Sequence, residues 1–187
     1  WGVDYVLLND AGRLVFPVHA YRDSRTQPGL KRLGDTRAAR DRIYAATGIP
    51  NVFYNTSLQL EETVASCPAI TDLATRCLFL PDYFNYLLSG KMAVEFSIAS
   101  TSQLIDVHSK DWSRPALDHF RLPPSWFSTP VPAGTRLGTL QKSVAGDLPA
   151  LKGTRVIAVP DAVEALAEAS GDTIVHWLYG GVYERRD

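Results

Sequence analysis

The sequence predicts an α/β domain. Short strand-like runs, Val3 to Leu8 and Val156 to Val159, share the chain with segments of helical periodicity that stop at Gly or Pro. The 187 residues, 45% of them hydrophobic, suffice for one domain with a substantial core.

The elements follow in order. Val3 to Leu8, rich in Val, Leu and Tyr, reads as a strand. Asn9-Asp10-Ala11-Gly12 has turn chemistry, and Arg13 to Phe16 reads as a second strand closing a hairpin. Tyr21 to Thr26 is a polar cluster ending that strand. Pro28-Gly29 breaks the chain, and Lys31 to Ala46 reads as one helix stopped by Gly48, with Pro50 beyond. Asn55-Thr56 is placed to cap a helix from Ser57 to Ser66, and Pro68 ends it. Ala69 to Ala74 suits a further helical turn. Cys77 to Leu80 is a buried strand or the start of a helix; Tyr83 to Leu88 is helical behind Pro81-Asp82 and stops at Ser89-Gly90. Phe96 to Leu104 carries small polar residues. Asp111-Trp112-Ser113 begins a helix from Arg114 to Phe120, and Leu122 to Gly138 is a Pro-rich crossing. Val156 to Val159 is a β-branched strand, and Asp161 to Ser170 reads as a helix ended by Gly171.

Bulk properties narrow the function. The net charge is −1, with no broad basic face, which argues against a nucleic-acid partner. No run is long and apolar enough for a transmembrane helix, and no signal-peptide pattern is present. Cys67 and Cys77 sit in apolar surroundings without metal-type spacing, as buried free thiols of a reducing compartment do. A cytoplasmic protein is expected. The absence of an initiator Met and an opening inside a strand predict a piece of a longer product.

The chemistry-bearing residues are few. The sequence has no Walker-type loop, no dinucleotide fingerprint and no Cys/His cluster; its four His residues are scattered. Polar clusters do stand where strands and helices end, the usual place for ligands in α/β proteins. Asp4, Asp23, Asn55 and Gln59, with the aromatic faces of Tyr21 and Tyr54, would suit a polyol, which needs paired donors and acceptors and cover for its C–H side. Asp23 and Arg25 would equally make a local salt-bridged turn.

Six stretches, in order, resemble the rhamnulokinase branch of the FGGY carbohydrate kinases. Trp1 to Leu8 is similar to the stretch at the family's interdomain-facing strand. Tyr21-Arg22-Asp23-Ser24-Arg25-Thr26 resembles Tyr-Arg-Asp-Ser-Arg-Thr, where other members carry Trp-x-Asp-x-Arg. Tyr44 to Pro50 resembles Tyr-x-x-(Thr/Ser)-Gly-Ile, and Asn55-Thr56 with Gln59-Leu60 resembles Asn-Thr-x-x-Gln-Leu. Pro81 to Lys91 is similar to Pro-Asp-Tyr-x-x-Tyr-x-Leu-Thr-Gly-Lys. Ala99 to Leu104 resembles Ala-(Ser/Thr)-Thr-Thr-Gln-Leu, with Asp111-Trp112 at the family's spacing.

The resemblance implies a ribonuclease-H-like, actin-type ATPase fold with a mixed sheet and several helices. The chain would be the later part of an N-terminal domain over residues 1–159, with a divergent tail at 160–187. It implies phosphoryl transfer from MgATP to the 1-hydroxyl of L-rhamnulose in the complete enzyme, with an Asp as base and domain closure excluding water. By position, Gly2, Asp4, Tyr21, Asp23, Tyr54 and Asn55 would face the sugar; Asp4 stands where glycerol kinases carry Glu and xylulose kinases His. Tyr83 to Gly90 and Ala99 to Leu104 would be framework.

The resemblance also has gaps. The family's Asp-x-Gly phosphate loop and its C-terminal, nucleotide-binding domain are absent from this sequence, so no ATP or Mg²⁺ is expected on this chain alone, and the missing parts of the kinase are its expected partners. Where the family's strand runs into Ala-Ser-His-Asp-Thr with the base, Val159 is followed by Pro160-Asp161. Asp172, in Ala169-Ser170-Gly171-Asp172-Thr173, is the preferred remnant of the base, with Asp161 as the alternative. Trp177 to Asp187 resembles nothing in the family. The competing readings are a non-catalytic sugar-binding module, a kinase for xylulose, fuculose or glycerol, and a nuclease, which would need several convergent carboxylates for two metals.

Overall fold

The structure, a computed structural model, describes residues 2–33, 36–146 and 148–159. Among them four short strands share the chain with eight helices. Strand β1, Tyr5–Leu8, pairs antiparallel with β2, Arg76–Phe79, in the register Tyr5↔Phe79 to Leu8↔Arg76. Strand β3, Arg136–Thr139, pairs antiparallel with β4, Arg155–Ile157.

Every residue of β1 is buried. Its alternating side chains enter two different cores, because successive side chains of a strand leave on opposite faces. Tyr5 and Leu7 pack with Leu58, Leu60, Phe120 and Trp126, while Val6 and Leu8 pack with Phe79, Val94, Ile98 and Ile105. A strand covered on both faces reads as a continuous apolar run, and this one does.

The hairpin expected at Arg13 to Phe16 forms only in outline, without a second regular strand. Leu14 bridges Leu8, Val15 N donates to Leu7 O and Asn9 N donates to Arg13 O. The Asn9 side chain accepts from the amides of Ala11 and Arg13 and Gly12 N donates to Asn9 O, closing the turn, while Pro17 has no N–H to extend a ladder. The apolar β2, nearly seventy residues on, pairs with the opposite edge of β1, where Asp4 O and Leu8 O accept from Leu80 N and Thr75 N. The run Cys77 to Leu80 therefore serves both expected roles: Phe79 ends β2 and Leu80 opens α5, Leu80–Ser89, with Pro81 in its first turn.

The single helix expected at Lys31 to Ala46 is two. α1 spans Gln27–Arg32 and α2 spans Arg37–Thr47. Thr36 causes the break, adopting an extended backbone and accepting from Ala39 N at 3.2 Å, so a new helix starts there. Gly48 closes α2 at φ +68°, as its position suggested.

Helix α3, Thr56–Ser66, starts after Asn55, but the Asn55 side chain does not cap it; its amide donates to Pro50 O at 2.8 Å. Helices α4, Ile70–Leu73, α6, Phe96–Ser100, α7, Arg114–His119, and α8, Lys142–Ala145, complete the set. The strand expected at Val156 to Val159 is β4, which starts one residue earlier and ends two residues earlier. The helix expected at Asp161 to Ser170 lies outside the described residues.

Candidate functional site

The site is built around the entry of the chain into β1. Three bonds fix the backbone there. Val3 O accepts from Thr56 Oγ1 at 2.7 Å and from Gln59 Nε2 at 3.2 Å, and Asp4 O accepts from Leu80 N at 2.9 Å. The first turn of α3 thus holds the segment on one side and the start of α5 on the other. Gly2 runs past α6, where an added Cβ would stand 3.5 Å from Ile98 Cδ1, an ordinary contact.

Asp4 is 5% exposed, and its Oδ1 accepts from Tyr21 N at 2.7 Å. Burial pushes its carboxyl above the usual carboxylate range, with the Tyr21 N–H pulling the other way. That hydrogen bond draws the Tyr21 loop onto the strand. The Tyr21 ring meets the Tyr54 ring edge to face at 6.2 Å, and Tyr54 meets Phe53 in the same way at 5.0 Å. Arg22 lies over Tyr21 at 5.4 Å, its Nε donating to the phenol oxygen at 2.8 Å. Gln59 Nε2 also donates to Tyr54 O at 3.0 Å, so one amide holds Val3 and Tyr54 together. The result is a buried carboxylate beside a half-exposed aromatic group, the pairing that lets a surface accept a hydroxyl and cover a C–H face.

Asp4, Tyr21 and Tyr54 are therefore brought together, with Gly2 on the same strand entry. Asp23 lies exposed on the Tyr21 loop; its Oδ1 accepts from Arg25 N at 2.9 Å and caps a short 3₁₀ turn, Ser24–Thr26. Its other oxygen is 3.9 Å from His19 Nδ1. The local Asp23–Arg25 salt bridge does not form, because the carboxylate is spent on the Arg25 backbone while the guanidinium turns inward to Tyr5 and Thr63. Asn55 is fully buried, its amide turned to Pro50 O. Asp161 and Asp172 lie outside the described residues.

Some participants gave no usable signal in sequence. Phe53 stands next to Tyr54, and the adjacency of two aromatics ahead of a helix start was the available hint. Arg22 needed the loop conformation. Behind Gly2, Glu95 caps α6 with both carboxylate oxygens, accepting from Ser97 N at 2.9 Å and Ile98 N at 3.0 Å. Glu95 N in turn donates to buried Asp82 at 3.2 Å. Glu is an uncommon cap, so its pattern does not stand out.

Comparison with known proteins places this geometry. The N-terminal domain of the FGGY family of carbohydrate kinases matches residues 1–166. A rhamnulokinase from Klebsiella pneumoniae (strain 342) is 38% identical over 138 residues, covering 74% of this chain and 28% of the relative. One from Mannheimia succiniciproducens is 37% identical over 144 residues, covering 77% of the chain and 30% of the relative. The chain thus spans under a third of the length of these curated relatives. Among solved structures, a ligand-bound xylulose kinase from Lactobacillus acidophilus superposes with a TM-score of 0.76 at 14% identity, covering 90% of this chain and 34% of its own. A Plasmodium falciparum glycerol kinase with ADP gives 0.74 at 11% identity, with 90% and 34% coverage. These likenesses bear out the expected actin-type fold. With a buried strand gripped by α3 and α5, a matching domain over most of its length and rhamnulokinases as relatives, the chain belongs to the FGGY family of carbohydrate kinases.

Proposed function

We propose that this chain forms the sugar-facing wall of an ATP-dependent kinase that phosphorylates L-rhamnulose at its 1-hydroxyl. The observation that carries the reading is the Asp4–Tyr21 hydrogen bond, which gathers a buried carboxylate and a pair of aromatic rings at one strand entry. The 38% identity to rhamnulokinases supports this sugar over others. In this reading Asp4 and Asp23 accept sugar hydroxyls, Tyr21 and Tyr54 cover the ring's apolar side, and the Gly2 backbone lies against the sugar. Asn55 belongs to the same wall, at the start of α3.

A kinase of this family draws its phosphoryl group from MgATP. Among the described residues no group of three or more His, Cys, Asp or Glu side chains is arranged to hold a metal. The sequence offers no glycine-rich phosphate cradle either. We propose Asp172 as the base on the 1-hydroxyl, with Asp161 as the alternative, in a divergent tail at 160–187 that follows the partial domain of 1–159. Because Val159 runs into Pro160-Asp161 where the family carries Ala-Ser-His-Asp-Thr, a sugar-binding module without catalysis is the second reading.

Calorimetry decides the sugar. Titration with L-rhamnulose, D-xylulose, L-fuculose and glycerol is expected to give saturable heat with L-rhamnulose at the lowest concentration. Tighter binding of another of these would reassign the substrate, and no heat from any would refute the wall.

A further inference from the structure

We propose that Arg25 is a positioning residue for this wall: its guanidinium, seated on the hydroxyls of Tyr5 and Thr63, sets where Tyr21 and Asp23 stand relative to Asp4. The proposal rests on the sugar reading above. It starts from an unusual placement. Arg25 is half-buried, always charged, and pairs with no carboxylate among the described residues. Its Nη1 donates to Thr63 Oγ1 at 2.9 Å and its Nη2 to Tyr5 Oη at 3.3 Å. Taking a cation out of water onto two neutral hydroxyls costs free energy that these two hydrogen bonds must offset.

The seat is rigid. Burial holds the Tyr5 phenol above its ordinary range, so it keeps its proton, and Tyr5 Oη and Thr63 Oγ1 lie 2.5 Å apart. Thr63 Oγ1 also donates to Gln59 O at 3.1 Å, and Tyr5 Oη is 3.2 Å from the same carbonyl. Gln59 carries the network on, since its side chain holds Val3 O and Tyr54 O. One connected set of bonds therefore runs from Arg25 through Tyr5, Thr63 and Gln59 to Tyr54.

The loop is held at both ends by neighbouring residues of one strand. Asp4 takes the Tyr21 amide on one face of the chain, and Tyr5 takes the Arg25 guanidinium on the other. Between the two anchors Asp23 N donates to Ala20 O and Asp23 Oδ1 accepts from Arg25 N. With both anchors in place Asp23 has little freedom. With Arg25 released, only the Asp4 anchor remains. A lysine ammonium is a point charge and cannot span the two hydroxyls as a fork does.

The test uses Arg25→Lys, with Tyr5→Phe as a second, milder variant that removes one hydroxyl and keeps the ring. Two quantities are measured: L-rhamnulose affinity by calorimetry, and amide hydrogen exchange at Tyr21, Asp23 and Arg25, with β2 amides as the internal reference. Arg25→Lys is expected to speed exchange at those three amides while leaving β2 unchanged, and to weaken sugar binding about tenfold. In an Asp23→Asn background the same change is expected to cost less than about twofold more, since Arg25 acts through Asp23. Additive losses would make Arg25 a general structural residue and overturn the proposal, as would unchanged exchange. Failure of the wild-type chain to bind L-rhamnulose would fell the sugar reading instead, and the exchange result alone would then decide whether Arg25 holds the loop.

Discussion

Replacing Asp82 by Asn should stabilise the chain, and by more as pH rises. Asp82 is 2% exposed; its Oδ1 accepts from Glu95 N at 3.2 Å, while its Oδ2 has no hydrogen-bond partner among the described residues. Burial first, and the nearby Glu95 carboxylate second, push its pKa up to about 8 from 3.8. The folded state therefore holds a proton that the unfolded chain releases. The stability linked to this group is fully present below pH 3.8, falls as pH rises, and levels off above about 8. The slope is about 1.4 kcal/mol per pH unit. Allowing for the bend near the folded pKa, the loss between pH 6 and pH 8 is about 2 kcal/mol. An Asn keeps an acceptor for Glu95 N and cannot ionise. Its buried NH₂ carries a penalty of about 1 to 3 kcal/mol, but one that does not vary with pH. Urea unfolding of both proteins at pH 5, 6, 7 and 8 reads the difference, in which most other titrating groups cancel. The variant should gain about 2 kcal/mol on the wild type between pH 6 and pH 8, or about 4 to 8 °C in melting temperature for a chain of this size. A difference independent of pH would show that Asp82 ionises freely in the fold and would refute the account.

Gly12→Ala should destabilise by about 2 to 4 kcal/mol in urea unfolding, because Gly12 sits at φ +69° and a Cβ would overlap the Tyr86 hydroxyl. Gly29→Ala should cost about 1 to 3 kcal/mol, since its Cβ would lie 2.6 Å from Glu61 Oε2 and disturb the Arg32–Glu61 pair that ties α1 to α3. Adding Arg32→Ala should then cost less than it does alone. Asp4→Asn should keep the Tyr21 amide bound through its amide oxygen but weaken L-rhamnulose binding about tenfold in calorimetry, as a charged acceptor becomes a neutral one. MgATP should give no heat with this chain alone; measurable affinity would place a nucleotide site within it.

Local chemistry was legible in the sequence and long-range pairing was not. Gly48 and Gly90 both end helices in the left-handed conformation, as their positions implied. The run at Cys77 to Leu80 was open between strand and helix because a strand that passes directly into a helix shares one apolar stretch. The opening hairpin shows the limit. Arg13 to Phe16 has strand composition and makes only a short bridge to β1, while the strand on the other edge of β1 was decided by what fills two cores, which no local window contains. The site divides similarly. Asp4, Tyr21 and Tyr54 were named from residue type and resemblance, and they do meet. The inward turn of Arg25 was hidden because Asp23 and Arg25, two residues apart with opposite charges, invite a salt bridge that the backbone cap pre-empts.

β1 also constrains where the proposed wall can lie. All four β1 positions are claimed by one core or the other, so none is left to face a ligand. Only residues just before the strand, and the loops its ends can hold, remain for that role. Asp4 supplies the first and captures the second through Tyr21 N. In an antiparallel pair the start of β1 lies beside the end of β2, at Tyr5↔Phe79, where the chain turns into α5. The candidate site is thus at the carboxyl end of a strand after all, that of β2, which is the favoured end in α/β proteins. Asp4 O accepting from Leu80 N marks that junction. Wall and core consequently share a single element. Tyr5 shows this in one side chain: its ring packs with Leu58 and Trp126, and its hydroxyl holds the arginine that fixes the loop.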